Sequence, residues 1–413
     1  MSQLALYGGE KAKKTPFGKG KRFGAEELQQ LKEALEQNTL FYWSGNKVKE
    51  FTSKFAGKYG VPYCVAASSG TAALHVALGA VGVTTGDEVI TAPVTDMGSI
   101  IGILYQNAIP VFADIDPHTY NMDPKSIEKN ITEKTKAIMV VHLAGNPADM
   151  DAIMAIAKKH DIKVIEDCAQ SYLSYYKGRL AGTIGDIGCF SLNDFKHISA
   201  GDGGMLIMKD EVSYKKAFRF ADKNYDRFSR DPMAMRKIEF LAPNYRMNEL
   251  TGAVGLAQLD RLDEICRKRN VYGEKISEGI RNLPGIYIPK VEEGNKSSYW
   301  FYMMRVNEEE AGVGRSEFSK ALAAEGIPNQ LGYIPTCVYE YDLFLNKNAY
   351  PGSNCPFGCK HYGREVKYYK GLCPTAEEVL NTAIRIGINE FYTDDDVQEI
   401  IEAIRKVSAY YSK

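Results

Sequence analysis

One lysine of this chain lies where its amine could become reactive. Lys196 follows an apolar, strand-like run at 187–192 and precedes a glycine-rich turn that leads into a second run at 205–208. A lysine at the end of a buried strand is poorly hydrated, so its pKa falls and the neutral amine can form a Schiff base with an aldehyde. A solvated loop lysine is the alternative, and the flanking apolar runs disfavour it.

An acidic residue ends another short apolar run earlier in the chain. Asp167 follows the run 162–166, a place from which a carboxylate can pair with a pyridinium nitrogen. A helix N-cap after a strand is the alternative role. Together, Lys196 and Asp167 indicate pyridoxal 5′-phosphate (PLP) as the cofactor, covalently bound to Lys196.

Length and charge limit the classes of function. The chain has 413 residues, of which 45% are hydrophobic and 25% are charged, and its formal net charge is −1. This length predicts a large domain with a smaller one, and a nearly neutral chain is not drawn to nucleic acid. No apolar run approaches the ~18 residues of a membrane span. Without a charged and apolar leader, the expected location is cytoplasmic.

The eight cysteines form no regular framework. Scattered cysteines of this kind are typical of free thiols in a reducing compartment. Cys355 and Cys359 lie near His361 and Cys373, but this group lacks the second matched pair that a zinc site requires. We therefore expect no metal.

Strand-like and helical segments alternate between residues 61 and 166. The expected strands are 61–67, 88–92, 111–114, 137–143 and 162–166. This order predicts an α/β fold with a mainly parallel, doubly wound sheet, whose ligands bind at the carboxyl ends of the strands. Ser69, Thr71 and Asp167 all fall at such ends.

A predicted amphipathic helix at 248–270 leads out of the large domain. The expected division is an N-terminal arm (1–22), a large PLP-binding domain (23–270) and a small C-terminal α/β domain (271–413). The segment 339–372 has no clear period and predicts a long loop, which in a compact domain is often a binding lid.

Six short motifs resemble, in the same order, those of the DegT/DnrJ/EryC1/StrS sugar aminotransferases, which are fold-type I PLP enzymes. They are Ser44-Gly45, Ser69-Gly70-Thr71, Val141-His142-Leu143, the segment from Glu166 to Gln170, the lysine segment 191–204, and Asn244-Tyr245-Arg246-Met247. One such motif is weak evidence, whereas six in order are strong evidence.

The resemblance implies roles for most of the candidate residues. Lys196 is the Schiff-base lysine, Asp167 pairs with the pyridine nitrogen, and Gln170 contacts the 3-oxygen of the cofactor. Ser191 binds the phosphate, and Asn244 reaches the phosphate of a partner subunit. The last role implies a homodimer with shared active sites.

The segment Ser69-Gly70-Thr71 can also be understood from its own chemistry. A helix start offers free backbone amides and a favourable dipole to a phosphate, and Thr71 adds a hydroxyl. Small residues are nevertheless common at helix starts, so the segment by itself is weak evidence.

Three further features suggest contacts with cofactor or substrate. Asp96 occupies the position where the family usually has an aromatic residue against the pyridine ring, so it either contacts cofactor or substrate or caps the following helix. Tyr42 and Trp43 lie where family members line the substrate entrance, and their rings suit a sugar or cyclitol. Arg246 meets either a carboxylate of the amino donor or a structural salt-bridge partner.

The predicted function is that of a PLP-dependent aminotransferase. An amino group would pass from glutamate or glutamine to a keto-sugar or keto-cyclitol by a ping-pong mechanism through pyridoxamine phosphate. A PLP- or PMP-dependent sugar dehydratase is one alternative, which Lys196 argues against, because family members with that activity have histidine there. A non-catalytic PLP-binding regulator is the other. A nicotinamide-dependent dehydrogenase is poorly supported, since no strand leads into Gly-x-Gly-x-x-Gly.

Overall fold

A central seven-stranded sheet carries the larger part of the protein. The computed structural model describes residues 3–412, so residues 1 and 2 of the expected arm and residue 413 of the expected small domain lie outside the described residues. The strands of this part are β1 (Tyr63–Ala67), β2 (Glu88–Thr91), β3 (Ile109–Phe112), β4 (Thr135–Val141), β5 (Lys163–Asp167), β6 (Tyr175–Tyr176), β7 (Arg179–Leu180), β8 (Ile187–Ser191) and β9 (Gly204–Met208).

The sheet has the order β1-β9-β8-β5-β4-β2-β3. The pairs β2–β3, β2–β4, β4–β5 and β5–β8 are parallel, whereas β9 runs antiparallel to both β1 and β8. Strands β6 and β7 form a separate hairpin. The prediction of a mainly parallel sheet is confirmed.

Helices cover both faces of the sheet because alternate strand residues point in opposite directions. Met139 and Ile165 share a core with the apolar residues of 70–80, whereas Ile138 and Val164 share another with those of 150–160. The helices of this part are α1 (Ala25–Glu36), α2 (Lys47–Tyr59), α3 (Gly70–Ala80), α4 (Gly98–Tyr105), α5 (Pro124–Lys129), α6 (Met150–His160), α7 (Glu211–Ala221), α8 (Pro232–Met235), α9 (Glu249–Leu259) and α10 (Leu262–Ile280).

Polar residues fix where several of these helices begin. Ser69 accepts a hydrogen bond from the backbone N–H of the residue three positions on, and Asp149 and Asn248 do the same for α6 and α9. Such N-caps satisfy backbone donors that have no acceptor within the helix.

A four-stranded antiparallel sheet forms the C-terminal part. It has the order β10-β11-β13-β12. Its strands and the accompanying helices are β10 (Ile286–Tyr287), β11 (Phe301–Val306), α11 (Glu308–Ala311), α12 (Arg315–Ala324), β12 (Asn329–Leu331), α13 (Asp342–Leu345), α14 (Pro374–Thr382), β13 (Ala383–Gly387) and α15 (Asp394–Tyr411).

The predicted helix at 248–270 is wrong as a single element. The chain breaks between Leu259 and Leu262, and the second helix, α10, continues to Ile280. Apolar residues recur at helical spacing on both sides of this break, so the pattern alone does not reveal it. The predicted domain boundary at residue 270 therefore falls inside α10.

The long segment 339–372 is largely irregular, as predicted. Phe357, Tyr362 and Tyr368 are buried in a core that also contains Phe112. Cys355 and Cys359 form a disulfide with their Cα atoms 5.2 Å apart, so the expectation of free thiols is wrong for this pair. Among the described residues, no helix is both long and apolar enough to span a membrane.

Candidate active site

A cavity of about 820 Å³ opens at the carboxyl ends of the parallel strands. It lies where a doubly wound sheet places its ligands. The predicted residues that line it are Ser69, Gly70, Thr71, Asp96, Asp167, Gln170, Ser191 and Lys196. Four others do not line it: Tyr42, Trp43, Asn244 and Arg246.

Asp167 is the last residue of β5, and its carboxylate is almost fully buried at 5% exposure. Its Oδ2 accepts a hydrogen bond from Ser99 Oγ at 2.7 Å, and its Oδ1 accepts one from the backbone N–H of Ala169 at 3.1 Å. Burial raises the pKa of Asp167, while these hydrogen bonds and the charge of Lys196 oppose the rise. A cation inside the cavity would favour the ionised form.

The neighbouring Glu166 faces away from the cavity and anchors the strand end. Its carboxylate accepts hydrogen bonds from His142 Nε2 at 3.0 Å and from the backbone N–H groups of Gly182, Ile184 and Gly185. Burial alone would raise the pKa of Glu166, but the hydrogen bonds from His142 and the backbone hold it below its usual value. Glu166 therefore stays charged and fixes the turn behind Asp167.

Lys196 lies in the turn between β8 and β9, with 9% of its surface exposed. Burial lowers the pKa of Lys196 to about 8, against the opposing charges of Asp167 and Asp96. Its Nζ lies 3.7 Å from the centre of the Trp300 ring, a cation–π contact. An amine with this pKa is partly neutral near physiological pH, as Schiff-base chemistry requires.

The side chain of Arg22 holds the lysine turn in place. Its guanidinium donates hydrogen bonds to the backbone carbonyls of Asp194, Lys196 and His197. Arg22 is the last residue of the expected N-terminal arm.

The start of α3 and the end of β8 approach each other closely. A Cβ atom on Gly70 would lie 2.6 Å from Ser191 Cβ and 2.9 Å from its Oγ. Only glycine allows this approach, which brings the Ser191 hydroxyl beside the first backbone amides of α3. These amides have no acceptor within the helix, so hydroxyl and amides together suit a phosphate.

Replacing Gly70 by alanine is expected to weaken PLP binding about tenfold or more, because the added methyl group pushes Ser191 away from the helix start. The measurement is the PLP dissociation constant of the apoprotein by absorbance titration. Gly57→Ala is the matched control, since a Cβ on Gly57 meets no atom within 4 Å. Wild-type affinity in Gly70→Ala would contradict the phosphate role of this segment.

Asp96 both caps α4 and lines the cavity. Its Oδ1 accepts a hydrogen bond from the backbone N–H of Gly98 at 2.8 Å, which is the capping alternative. Because Asp96 also lines the cavity, the geometry allows the cofactor or substrate contact as well.

Sequence reasoning missed several residues of the cavity. Ser99 lies four residues after Thr95 and shares a 2.7 Å hydrogen bond with it. This polar pair at helical spacing is the sequence signal that could have indicated Ser99. Trp300, Tyr333 and Arg385 reach the cavity from the C-terminal part. No pattern in the sequence links these three to Lys196.

Tyr42, Trp43 and Arg246 line a different cavity of about 160 Å³. The buried Asp222 organises it, accepting hydrogen bonds from Tyr42 Oη at 2.7 Å and from Arg246 Nη1 at 2.9 Å. The structure thus places Arg246 in a salt bridge. The backbone of Asn244 forms an isolated antiparallel β-bridge with that of Asp222.

The residues around Lys196 fit PLP. The pyridine nitrogen of PLP requires a buried carboxylate, and its aldehyde requires a desolvated lysine. Its phosphate suits a helix start with a serine hydroxyl beside it. The sequence matches the DegT/DnrJ/EryC1/StrS aminotransferase family over residues 21–367. The chain belongs to this family. It is a PLP-dependent aminotransferase of the sugar aminotransferase type.

Individual members of the family align over most of the chain. The spore coat polysaccharide biosynthesis protein SpsC of Bacillus subtilis is 34% identical over 392 residues, 93% of this chain and 95% of that protein. The putative L-glutamine:3-amino-2,3-dideoxy-scyllo-inosose aminotransferase of Streptoalloteichus tenebrarius is 36% identical over 337 residues, 79% of each chain. The crystal structure of an aminotransferase from Psychrobacter cryohalolentis superimposes with a TM-score of 0.83 at 30% identity, covering 96% of this chain and all of that one.

Proposed function

We propose that this protein transfers an amino group from glutamate or glutamine to the ketone of a sugar or cyclitol. The observation that carries the proposal is the single cavity that joins Lys196, of lowered pKa, to the buried carboxylate of Asp167. Amino transfer requires both a lysine that can exchange with an incoming amine and an acid that holds a proton on the pyridine ring.

Lys196 is proposed to bind the cofactor covalently and to move protons at the α-carbon of the donor. Its lowered pKa suits both tasks, because an amine near neutrality can give up and regain a proton. When bound, PLP supplies the electron sink for this chemistry. Asp167 holds the ring nitrogen protonated, and Ser99 keeps the Asp167 carboxylate in place through its 2.7 Å hydrogen bond.

Gln170 and Asp96 are proposed to orient the ring inside the cavity. Gln170 Oε1 accepts a hydrogen bond from the backbone N–H of Ala144 at 2.8 Å, and its Nε2 donates to Tyr333 Oη at 3.2 Å. These two contacts fix the amide group beside the cavity. Ser69, Gly70, Thr71 and Ser191 are proposed to bind the phosphate.

The proposed acceptor is a keto-sugar or a keto-cyclitol. Of the two relatives named above, one takes part in polysaccharide biosynthesis, and the name of the other specifies an amino-dideoxy-inosose and glutamine. The inosose of the second relative is a small polyhydroxylated ring. A cavity of about 820 Å³ that is lined by both polar and aromatic side chains suits such a ring beside the cofactor.

A homodimer with shared active sites is the proposed assembly, and the cytoplasm is the proposed location. The dimer would bring Asn244 of one subunit to the Lys196 cavity of the other, as the family resemblance implies, and we propose that it brings Tyr42 and Trp43 to the same entrance. Within one chain these residues do not line that cavity. Sedimentation of the holoenzyme tests the assembly, and a monomer with full activity would contradict it.

The test of the function is the absorbance spectrum of the purified holoenzyme before and after addition of L-glutamine or L-glutamate. We expect the visible band of the lysine-bound cofactor to disappear with a donor and to return when a keto-cyclitol or keto-sugar is added. D-glutamate is the stereochemical control. A visible band that neither L-amino acid changes would contradict the proposal and favour a regulator.

A further inference from the structure

One aromatic side chain lies directly against the amine of Lys196. Lys196 Nζ is 3.7 Å from the centre of the Trp300 ring. Within residues 3–412 this amine takes part in no hydrogen bond and no ion pair, and the carboxylates of Asp167 and Asp96 act on it only through their charge. The indole face of Trp300 is therefore the group that holds the amine in place.

Hydrogen bonds fix Trp300 to both parts of the protein. Its backbone N–H donates to the carbonyl of Ala144 at 2.9 Å, and its indole N–H donates to the carbonyl of Phe195 in the lysine turn at 2.6 Å. Its backbone carbonyl accepts from Arg269 Nη1 at 3.3 Å, and Arg269 Nε lies 3.0 Å from the buried carboxylate of Glu390. The indole is thus tied to the same turn that carries Lys196.

Packing leaves the indole of Trp300 little freedom to turn. Its neighbours Tyr299 and Phe301 are buried in two different cores, and Tyr333 packs edge-on against the indole with the ring centres 5.8 Å apart. Trp300 itself is half-buried and lines the cavity. A side chain whose backbone and ring are both fixed presents one surface to the cavity, as precise positioning requires.

The proposed reaction frees the amine of Lys196 when the amine of the donor takes its place. Lysine has a long and flexible stem, so a free amine needs a partner if it is to stay near the α-carbon. The amine becomes an ammonium when it takes the α-proton, and an aromatic face attracts a cation. An indole at this place holds the free amine and favours its protonated form.

We propose that Trp300 is a positioning residue whose indole face holds the Lys196 amine once the donor has displaced it, so that the amine stays in reach of the α-proton. This inference rests on the proposed aminotransferase function and adds to it a residue that acts through the lysine. Because Trp300 is proposed to act on the amine and not on the donor, its loss should slow proton transfer and leave donor affinity unchanged.

The experiment compares holoenzymes of the wild type, Trp300→Phe, Trp300→Leu and the control Tyr287→Leu. Tyr287 is an exposed aromatic residue on β10 of the same sheet, with its ring 5.8 Å from the Arg305 guanidinium. The rate of loss of the visible cofactor band is measured in single turnovers at increasing L-glutamine. This series gives a limiting rate and an apparent donor Kd for each protein.

We expect Trp300→Leu to lower the limiting rate about 10- to 100-fold, the usual cost of misplacing a reacting group by about 1 Å, without raising the donor Kd. Trp300→Phe keeps an aromatic face and should recover part of the rate, whereas Tyr287→Leu should change neither quantity. With L-glutamine deuterated at the α-carbon, Trp300→Leu should show an isotope effect at least as large as that of the wild type. A slowed reaction without an isotope effect would place the loss in another step and overturn the inference.

A second measurement needs no turnover. The melting temperatures of the apoproteins of the wild type, Lys196→Ala, Trp300→Leu and the double variant form a double-mutant cycle. We expect Trp300→Leu to lower the melting temperature less when Lys196 is already replaced, because the contact between the two side chains is then absent. Strictly additive changes would overturn the direct contact.

The two proposals can fail separately. An unchanged limiting rate in Trp300→Leu would overturn the role of Trp300 and leave the aminotransferase function standing. A raised donor Kd with an unchanged limiting rate would also overturn it, because Trp300 would then act in donor binding. A wild type that responds to no α-amino acid would overturn the proposed function itself.

Discussion

Lys196→Ala is expected to abolish the visible band of the lysine-bound cofactor and to lower turnover by at least about 10³-fold. The variant loses both the amine that bonds the cofactor and the group that moves the proton at the α-carbon. Proton transfer by a positioned side chain alone accelerates a reaction by about 10²- to 10⁴-fold. The measurements are the absorbance spectrum with added PLP and the amount of cofactor that stays attached after borohydride reduction and denaturation.

Lys209→Ala is the matched control for this variant. Lys209 is an exposed lysine just after β9, on the other side of the glycine-rich turn, so its loss should leave the spectrum and the turnover unchanged. A Lys196→Ala protein that still holds cofactor after borohydride reduction would show that another lysine forms the bond.

Asp167→Asn is expected to retain PLP but to lose turnover by about 10²- to 10³-fold, the usual effect of removing one preorganised charge from an active site. Asparagine has the same shape, so its Oδ1 can accept from the Ala169 N–H while its Nδ2 donates to the Ser99 hydroxyl. The neutral amide cannot hold a proton on the pyridine nitrogen. The measurements are the PLP dissociation constant and the single-turnover rate with L-glutamine.

The same substitution makes a separate prediction about stability. Burial raises the pKa of Asp167 in the folded state, so its ionised form opposes folding more strongly as the pH rises through that pKa. Removing this charge should leave the melting temperature of the apoprotein at neutral pH equal to or above that of the wild type. Asp161→Asn, at an exposed helix end, is the control.

Near-normal turnover in Asp167→Asn would contradict the electronic role of Asp167.

The order of the elements in the large part of the fold could be predicted from the sequence. Each strand from β1 to β5 is a short apolar run, and each helix between them begins at or directly after a small or polar residue, so local patterns were sufficient. The helix break before Leu262 was missed because the residues on both sides keep helical spacing. The packing of Phe357 and Tyr362 of the long loop was missed because their partners, such as Phe112, are distant in sequence.

The sequence by itself determined which residues meet at the proposed reacting centre. Asp167 ends one buried strand, and Lys196 lies in the turn that follows another strand parallel to it. Parallel strands bring their carboxyl ends to one edge of the sheet, so the two residues come close together. The small residues at the start of α3 reach the same edge for the same reason. These features depend on local patterns and on a general rule of α/β folds.

Only the tertiary structure decided which arginine has its charge paired within the protein. Both Arg246 and Arg385 are arginines flanked by apolar or aromatic residues, and nothing in the sequence separates them. The first is neutralised by Asp222, while the second projects from β13 onto three aromatic rings without an acidic partner among the described residues. Whether a charge is satisfied depends on residues far away in sequence, and only the folded chain brings those residues into contact.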